Sequence, residues 1–160
     1  MVTRPVRTSY PSEERRMEEP SPNPADLLRY FQQLTESPAA DLCRRGQAFV
    51  QAGLENAALE LFEQAVAADP AYGPGWSDLG VALMRANRLK ESGYALCKAI
   101  ELSPNNFVSW GCLGDVYVRL NRRDEASLCL EVCQRLAPND PRTEWLARKL
   151  ETCGNGPSPS

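Results

Sequence analysis

The chain has 160 residues, which is enough for one domain or for one domain with appended tails. Its 18 Lys and Arg and 21 Asp and Glu give a net charge of −3, which argues against a basic nucleic-acid-binding protein. The sequence contains no histidine. This absence excludes Ser-His and Cys-His nucleophile pairs, imidazole metal ligands and imidazole general bases.

The two ends of the chain differ in composition from its middle. Residues 1–23 are rich in proline and glutamate, and residues 154–160 read Gly-Asn-Gly-Pro-Ser-Pro-Ser. Both compositions predict disorder, as an N-terminal arm and a C-terminal tail. Residues 1–10 lack the apolar core of a secretory signal, and no apolar run approaches the roughly 20 residues that span a bilayer. Six scattered cysteines are expected to be free thiols, and we expect a cytoplasmic protein.

The first predicted helix is a short amphipathic one in residues 24–38. Asn23 and Pro24 form a helix start, and Pro38 is expected to end the helix. Its apolar stripe consists of Leu27, Leu28, Phe31 and Leu34. This helix could cap the unit that follows or lie in a groove of it. The short connection to that unit favours capping.

A period of 34 residues then runs through the chain. Three sets of residues share this spacing, namely Pro70, Pro104 and Pro138, then Gly46, Gly80 and Gly114, and then Gly53, Asn87 and Asn121. They divide the middle of the chain into units 39–72, 73–106 and 107–140, which cover 102 of the 160 residues. Such self-similarity is typical of repeat proteins, in which each unit buries its apolar face against its neighbours.

Each unit is predicted to be a helix, a tight turn and an antiparallel helix. Gly53 and its counterparts follow the first helix, because glycine and asparagine accept the left-handed conformation that ends a helix. The prolines end the second helix, since proline lacks the N–H that continuation needs. Gly80 lies in an apolar helical stripe, which favours close approach of a neighbouring helix; Ala58 and Ala65 are the expected close partners. Residues 141–153 are predicted to form a C-terminal capping helix, with Asp140 as its N-cap.

This pattern resembles the tetratricopeptide repeat, whose 34 residues place Trp, Leu, Gly, Tyr, Ala, Phe, Ala and Pro in that order. Only Arg45, where the pattern has leucine, is clearly discordant. The resemblance implies an all-α fold, a right-handed superhelix built as an α-solenoid of helix-turn-helix units. It also implies a concave face lined by the first helix of each unit, which binds peptide segments or helices of partner proteins.

Matching positions indicate which residues line this predicted groove. They are Cys43, Gln47, Val50, Gln51, Ser77, Val81, Met84, Arg85, Val108, Gly111, Asp115, Val118 and Arg119. The predicted floor is small and apolar and one rim carries arginines, which favours an apolar or amphipathic segment with an acidic residue. In the alternative interpretation, Val81, Met84 and Val118 only pack the stack. Cys43 and Cys112 are expected near the concave face and reactive toward thiol reagents.

A second predicted surface is a basic edge at the turns, formed by Arg88, Lys90, Arg122 and Arg123. It is either a solvated rim neutralised by neighbouring acids or a docking edge for an acidic partner.

The resemblance also offers one specific activity, because some family members clamp the acidic C-terminal tails of heat-shock chaperones with lysine, asparagine and arginine. The matching positions here are Cys43, Gln47, Asp78, Val108 and Cys112. None of them supplies a cation or an asparagine, so the sequence argues against a chaperone-tail adaptor.

The sequence offers no support for catalysis. It has no GxxxxGK or GxSxG motif and no CxxC pair, so we expect no enzyme activity, no cofactor and no metal. The predicted function is a non-catalytic scaffold or adaptor that binds another protein. The alternatives are a small bacterial secretion chaperone of the type III translocator class and a self-associating structural unit. We expect no nucleic-acid partner, no membrane insertion, and a monomer or weak homo-oligomer.

Overall fold

The computed structural model describes residues 23–35 and 37–152, and this part of the chain forms eight helices and no strand. The chain divides into two compact units, residues 1–35 and 36–160. The predicted disordered arm, apart from Asn23, and the predicted tail from residue 154 lie outside the described residues. No helix in the described ranges is long and apolar enough to cross a membrane.

The first unit contributes helix α1, which spans Pro24–Thr35. Its start was predicted correctly, because the Asn23 side chain accepts a hydrogen bond from the Ala25 amide at 3.1 Å. The prediction for Pro38 was wrong, since this proline begins the next helix instead of ending α1. The Ser37 side chain caps that next helix by accepting from the Ala40 amide at 3.2 Å, and proline suits the position that follows a cap.

The second unit consists of three helix pairs and a final helix. The pairs are α2 (Pro38–Gln51) with α3 (Glu55–Ala68), α4 (Gly73–Arg85) with α5 (Leu89–Leu102), and α6 (Phe107–Arg119) with α7 (Arg123–Leu136). The final helix, α8, spans Pro141–Thr152, and the Asp140 carboxylate accepts from the Arg142 amide at 2.9 Å at its start. The capping role predicted for Asp140 is therefore confirmed.

The turn inside each pair has the predicted left-handed residue. Gly53, Asn87 and Asn121 have φ angles of 76°, 58° and 58°. The residue after each one donates its N–H back to a carbonyl of the first helix, as Arg88 does to Leu83 at 2.9 Å. The backbone thereby reverses without leaving the last carbonyls of the helix unpaired.

The two tryptophans show that the repeats are structurally equivalent. The Trp76 indole N–H donates to the Pro70 carbonyl at 2.9 Å, and the Trp110 indole N–H donates to the Pro104 carbonyl at 2.8 Å. Each tryptophan thus ties the first helix of one pair to the end of the preceding pair. Each proline has no N–H to donate, but its carbonyl still needs a donor, and the indole N–H supplies it.

The glycines of the apolar stripe allow close helix contacts, although their closest partners differ from the prediction. A Cβ atom on Gly80 would lie 2.6 Å from Cγ of Leu96 in α5, and one on Gly46 would lie 2.5 Å from the Phe62 ring in α3. The nearest atoms therefore belong to large side chains and not to Ala58 or Ala65. In the second pair, Ser92 occupies the repeat position of Ala58, and its hydroxyl donates a hydrogen bond to the Gly80 carbonyl at 2.7 Å. This position therefore joins the two helices of the pair by a hydrogen bond.

The packing of the helices in the second unit determines which side is concave. The first helices of the pairs contact one another in order, α2 with α4, α4 with α6, and α6 with α8. The second helices α3, α5 and α7 come no closer than 8 Å to one another, Cα to Cα. A stack that is close on one side and spread on the other curves toward the close side, so the first helices line the inside.

Candidate functional site

A first cavity opens between α2 and α4 and has a volume of about 250 Å³. Its wall is mostly formed by residues predicted to line the groove, namely Gln47, Val50, Gln51, Val81 and Arg85. The remaining lining residues are Phe62, Asp78 and Ala82. The structure therefore brings these predicted residues of α2 and α4 together at one place.

The first cavity contains a carboxylate that forms no ion pair within the described residues. Asp78 Oδ2 accepts a hydrogen bond from Gln47 Nε2 at 2.9 Å, and within the described ranges Asp78 forms no ion pair. Burial raises the pKa of Asp78, while hydrogen bonds from Gln47 and Cys43 act to lower it. Asp78 and Arg85 lie seven residues apart on α4, so one face of this helix carries both signs of charge.

A second cavity, of about 360 Å³, lies between α4, α6 and α8. Met84, Gly111 and Asp115, which were predicted groove residues, line it together with Cys112, Pro141, Arg142 and Trp145. Sequence reasoning treated α8 only as a cap and missed Arg142 and Trp145. The repeat period contained the signal, because these residues lie 34 positions after Val108 and Gly111, which were predicted to line the groove.

Beyond the second cavity, toward Val118, α6 and α8 leave little open space. Asp115 binds Arg119 through two hydrogen bonds of 3.0 Å, so the charges of this pair largely cancel. Val118 borders only a small cavity of about 40 Å³ with Asn121, Arg123 and Leu150. Val81, Met84, Val108 and Val118 are all half-buried and pack against the core, which supports a partly structural role for these side chains.

Two predicted groove residues are core residues instead. Cys43 is 3% exposed and Ser77 is 7% exposed, and the Ser109 hydroxyl donates to Ser77 Oγ at 3.0 Å between α6 and α4. Burial raises the pKa of Cys43 to about 12 and also raises the pKa of Cys112, which is 8% exposed. Because the thiolate is the reactive form, this burial argues against the predicted reactivity of Cys43 and Cys112 toward thiol reagents, which stays a prediction.

The cysteines of α7 also belong to the core. Cys129 and Cys133 are 2% and 1% exposed, and burial raises their pKa values to about 12 and about 11. Cys133 occupies the repeat position of Ala65 and Ala99, which are fully buried. This agrees with the interpretation of Cys133 as a small buried side chain.

Two of the four residues of the predicted basic edge, Arg88 and Arg122, are neutralised by neighbouring glutamates, whereas Lys90 and Arg123 form no ion pair within the described residues. Arg88 binds Glu91 through bonds of 2.8 and 2.5 Å, and Arg122 binds Glu125 at 2.9 and 2.6 Å. Arg123 donates to the carbonyl of Leu150. Exposed pairs of this kind contribute little to stability but reduce the local field. The contacts therefore favour the interpretation of a solvated rim over that of an acidic-partner edge.

Two family models match parts of the sequence. The tetratricopeptide repeat model matches residues 42–72, and the model of ChAPs (Chs5p-Arf1p-binding proteins) matches residues 83–143. No curated protein sequence matches the chain significantly.

Solved structures with similar folds include tetratricopeptide domains. The first such domain of Spaghetti (RPAP3), bound to an HSP90 peptide, has a TM-score of 0.71 at 19% identity and covers 76% of this chain and 97% of its own. The Arabidopsis OM64 domain has a TM-score of 0.69 at 16% identity and covers 72% and 95%. The crystal structure of MamA gives 0.67 at 22% identity and covers 79% and 74%.

These matches agree with the repeat architecture derived above. Residues 42–72 match the tetratricopeptide repeat model, and the solved structures show that the chain has the all-α solenoid fold of tetratricopeptide domains, so the predicted fold class is confirmed. The first helices of its repeats line the two cavities described here.

Proposed function

We propose that the chain is a non-catalytic protein-interaction module, a scaffold or adaptor that holds a peptide or helical segment of a partner protein in the groove between its first helices. The observation that carries this proposal is the pair of cavities along α2, α4, α6 and α8. They combine half-buried apolar side chains with a few polar groups, which is the usual composition of a peptide-binding groove. The Spaghetti domain has a similar fold and is bound to an HSP90 peptide, which supports a peptide-binding role for this fold.

The proposal does not extend to acidic chaperone tails. Of the five positions that match the clamp of such adaptors, Cys43 and Cys112 are buried. Asp78 adds a negative charge to the first cavity, where Gln47 is already engaged as its hydrogen-bond donor. A tail with several carboxylates would meet repulsion at Asp78 in place of a cation.

Affinity capture with matched variants tests the proposal. Val81→Glu places a charge in the first cavity, and Leu128→Glu places the same charge on the outer helix α7, where Leu128 is 62% exposed. We expect a specific partner to be retained by the wild type and by Leu128→Glu but lost by Val81→Glu, with helicity unchanged in circular dichroism. Equal retention of the partner by both variants would contradict binding in the groove.

The same capture separates the alternative functions. A partner that is a secreted client with an extended apolar segment would favour the secretion chaperone. A second copy of this chain would favour the self-associating unit, and sedimentation at two protein concentrations would detect it. Cytoplasmic location stays a prediction, which fluorescence microscopy of the tagged protein would test.

A further inference from the structure

One arginine in the wall of each cavity, Arg85 in the first and Arg142 in the second, lacks an acidic partner in the described part of the chain. Within the described residues, neither Arg85 nor Arg142 has a carboxylate within ion-pair distance. Arg119 of α6, by contrast, donates two hydrogen bonds to the carboxylate of Asp115, one turn earlier on the same helix. The one carboxylate that lines the second cavity is therefore already neutralised.

Arg85 lies where the two cavities meet, because it lines the first cavity and follows Met84, which lines the second cavity together with Arg142. Burial raises the pKa of Cys112 in the floor of the second cavity, and the positive charges of Arg142 and Arg85 oppose that rise. Both guanidinium groups thus lie within electrostatic range of one thiol, although they belong to α4 and α8. Because the charges of Asp115 and Arg119 cancel, the surroundings of Cys112 retain the two positive charges of Arg85 and Arg142.

Apolar surface adjoins these charges. Met84 precedes Arg85 on α4 and lines the second cavity, and Trp145 lies one turn after Arg142 on α8. Trp145 is 40% exposed, and Lys149 lies 5.6 Å from its ring centroid. Methionine and tryptophan are adaptable or large apolar anchors for a side chain of a partner.

We propose that α8 is part of the binding surface and completes a subsite for an acidic residue next to an apolar residue. The carboxylate of the bound segment lies between Arg85 and Arg142, and the apolar side chain packs on Met84 and Trp145. Arginine suits this task because its planar fork binds carboxylate oxygens in pairs. The inference rests on the proposed function that the groove holds a polypeptide segment, and its residues differ from the clamp positions considered above.

Selection from a phage-displayed library of random 12-residue peptides tests this subsite without knowledge of the natural partner. The library is selected against the intact protein, against Arg85→Gln/Arg142→Gln and against Arg135→Gln/Arg148→Gln. Arg135 and Arg148 are exposed and paired with Glu131 and Glu144, so the last variant removes the same total charge elsewhere. Circular dichroism checks that all variants are folded.

We expect peptides selected on the wild type to share an Asp or Glu beside an apolar residue. They should bind the Arg85→Gln/Arg142→Gln variant at least about tenfold more weakly, because the charge-assisted hydrogen bonds to their carboxylate are lost. The control variant should bind them within about twofold. Replacement of the peptide's acidic residue by Gln should weaken binding to the wild type and leave binding to Arg85→Gln/Arg142→Gln unchanged.

The remaining outcomes separate this inference from the proposed function. Selected peptides that lack a shared acidic residue, or that bind both double variants equally, overturn the subsite. If these peptides no longer bind Val81→Glu, the result still supports a groove that binds peptides. Selected peptides that bind Val81→Glu as well as the wild type, or a library that yields none, overturn both.

Discussion

The close contact at Gly80 predicts that one substitution has opposite effects at two glycines of the same repeat. Gly80 lies in α4 and Gly93 lies in α5, so alanine should gain about 1 kcal/mol of helix propensity at either position. A Cβ atom on Gly93 would meet Val116 Cγ1 at 3.7 Å, which is an ordinary contact. We therefore expect Gly93→Ala to raise the free energy of unfolding by about 1 kcal/mol.

At Gly80 the new methyl group has no room. Its Cβ would lie 2.6 and 2.8 Å from Cγ and Cδ2 of Leu96 and 3.3 Å from the Leu96 backbone nitrogen, and Leu96 is 0% exposed. Neither the buried side chain nor the helix backbone can retreat cheaply. Overpacking of a well-packed core costs about 1–3 kcal/mol, and we expect a cost near the upper end here. Against a propensity gain of about 1 kcal/mol, the net loss is about 1–2 kcal/mol.

Urea denaturation followed by circular dichroism at 222 nm measures both effects. With a slope of about 2 kcal/mol per molar urea, Gly80→Ala should lower the midpoint by roughly 0.5–1 M. Gly93→Ala should raise the midpoint by about 0.5 M. The double variant Gly80→Ala/Leu96→Ala should lose less stability than the sum of its single variants, because the clash disappears. Midpoints that move in the same direction for both glycines would refute the packing explanation.

Three further predictions concern single side chains. Because burial raises the pKa of Asp78 in the folded state, ionisation of this carboxyl costs stability as pH rises. In urea titrations Asp78→Asn should therefore be more stable than the wild type at pH 7 and lose this advantage near pH 3. A stability difference between the two proteins that is the same at both pH values would contradict this prediction. Asn87 has a φ of 58°, so Asn87→Ala should lose about 1 kcal/mol while Asn87→Gly stays close to the wild type in the same assay; equal losses would argue against a left-handed turn. Burial raises the pKa of Cys129 to about 12, so an aromatic disulfide reagent at pH 8, read by mass spectrometry of peptides, should label it in urea but scarcely in buffer; labelling at equal rates would show that α7 does not bury this thiol.

The parts of the fold that the sequence predicted correctly are those with a strict local requirement. A left-handed turn admits few residues besides glycine and asparagine, so Asn87 and Asn121 mark the end of a first helix. Proline cannot donate to a helix, so Pro70 and Pro104 mark the end of a second one. Their common period then defines the stack, since neighbouring repeats must bury equivalent faces.

The site was less predictable because exposure depends on neighbouring helices. Cys43 and Ser77 lie on the predicted groove face, yet the next helix covers them, and nothing in a small side chain distinguishes a groove floor from a core. Arg142 and Trp145 were missed for the opposite reason, because the final helix was interpreted only as a cap. The position of residues 24–38 stays a prediction: binding that is unchanged when residues 1–36 are removed would support capping, whereas stronger binding would support occupation of the groove.

The most direct test of groove binding is site-specific photocrosslinking of the full-length protein in cells. A benzophenone-bearing amino acid replaces Gln51, which lines the first cavity, or Leu128, which is exposed on α7. After irradiation, mass spectrometry identifies the crosslinked peptides. The groove account predicts one partner segment joined to position 51 and absent at position 128. The same partner peptides at both positions, or at position 128 alone, would contradict it.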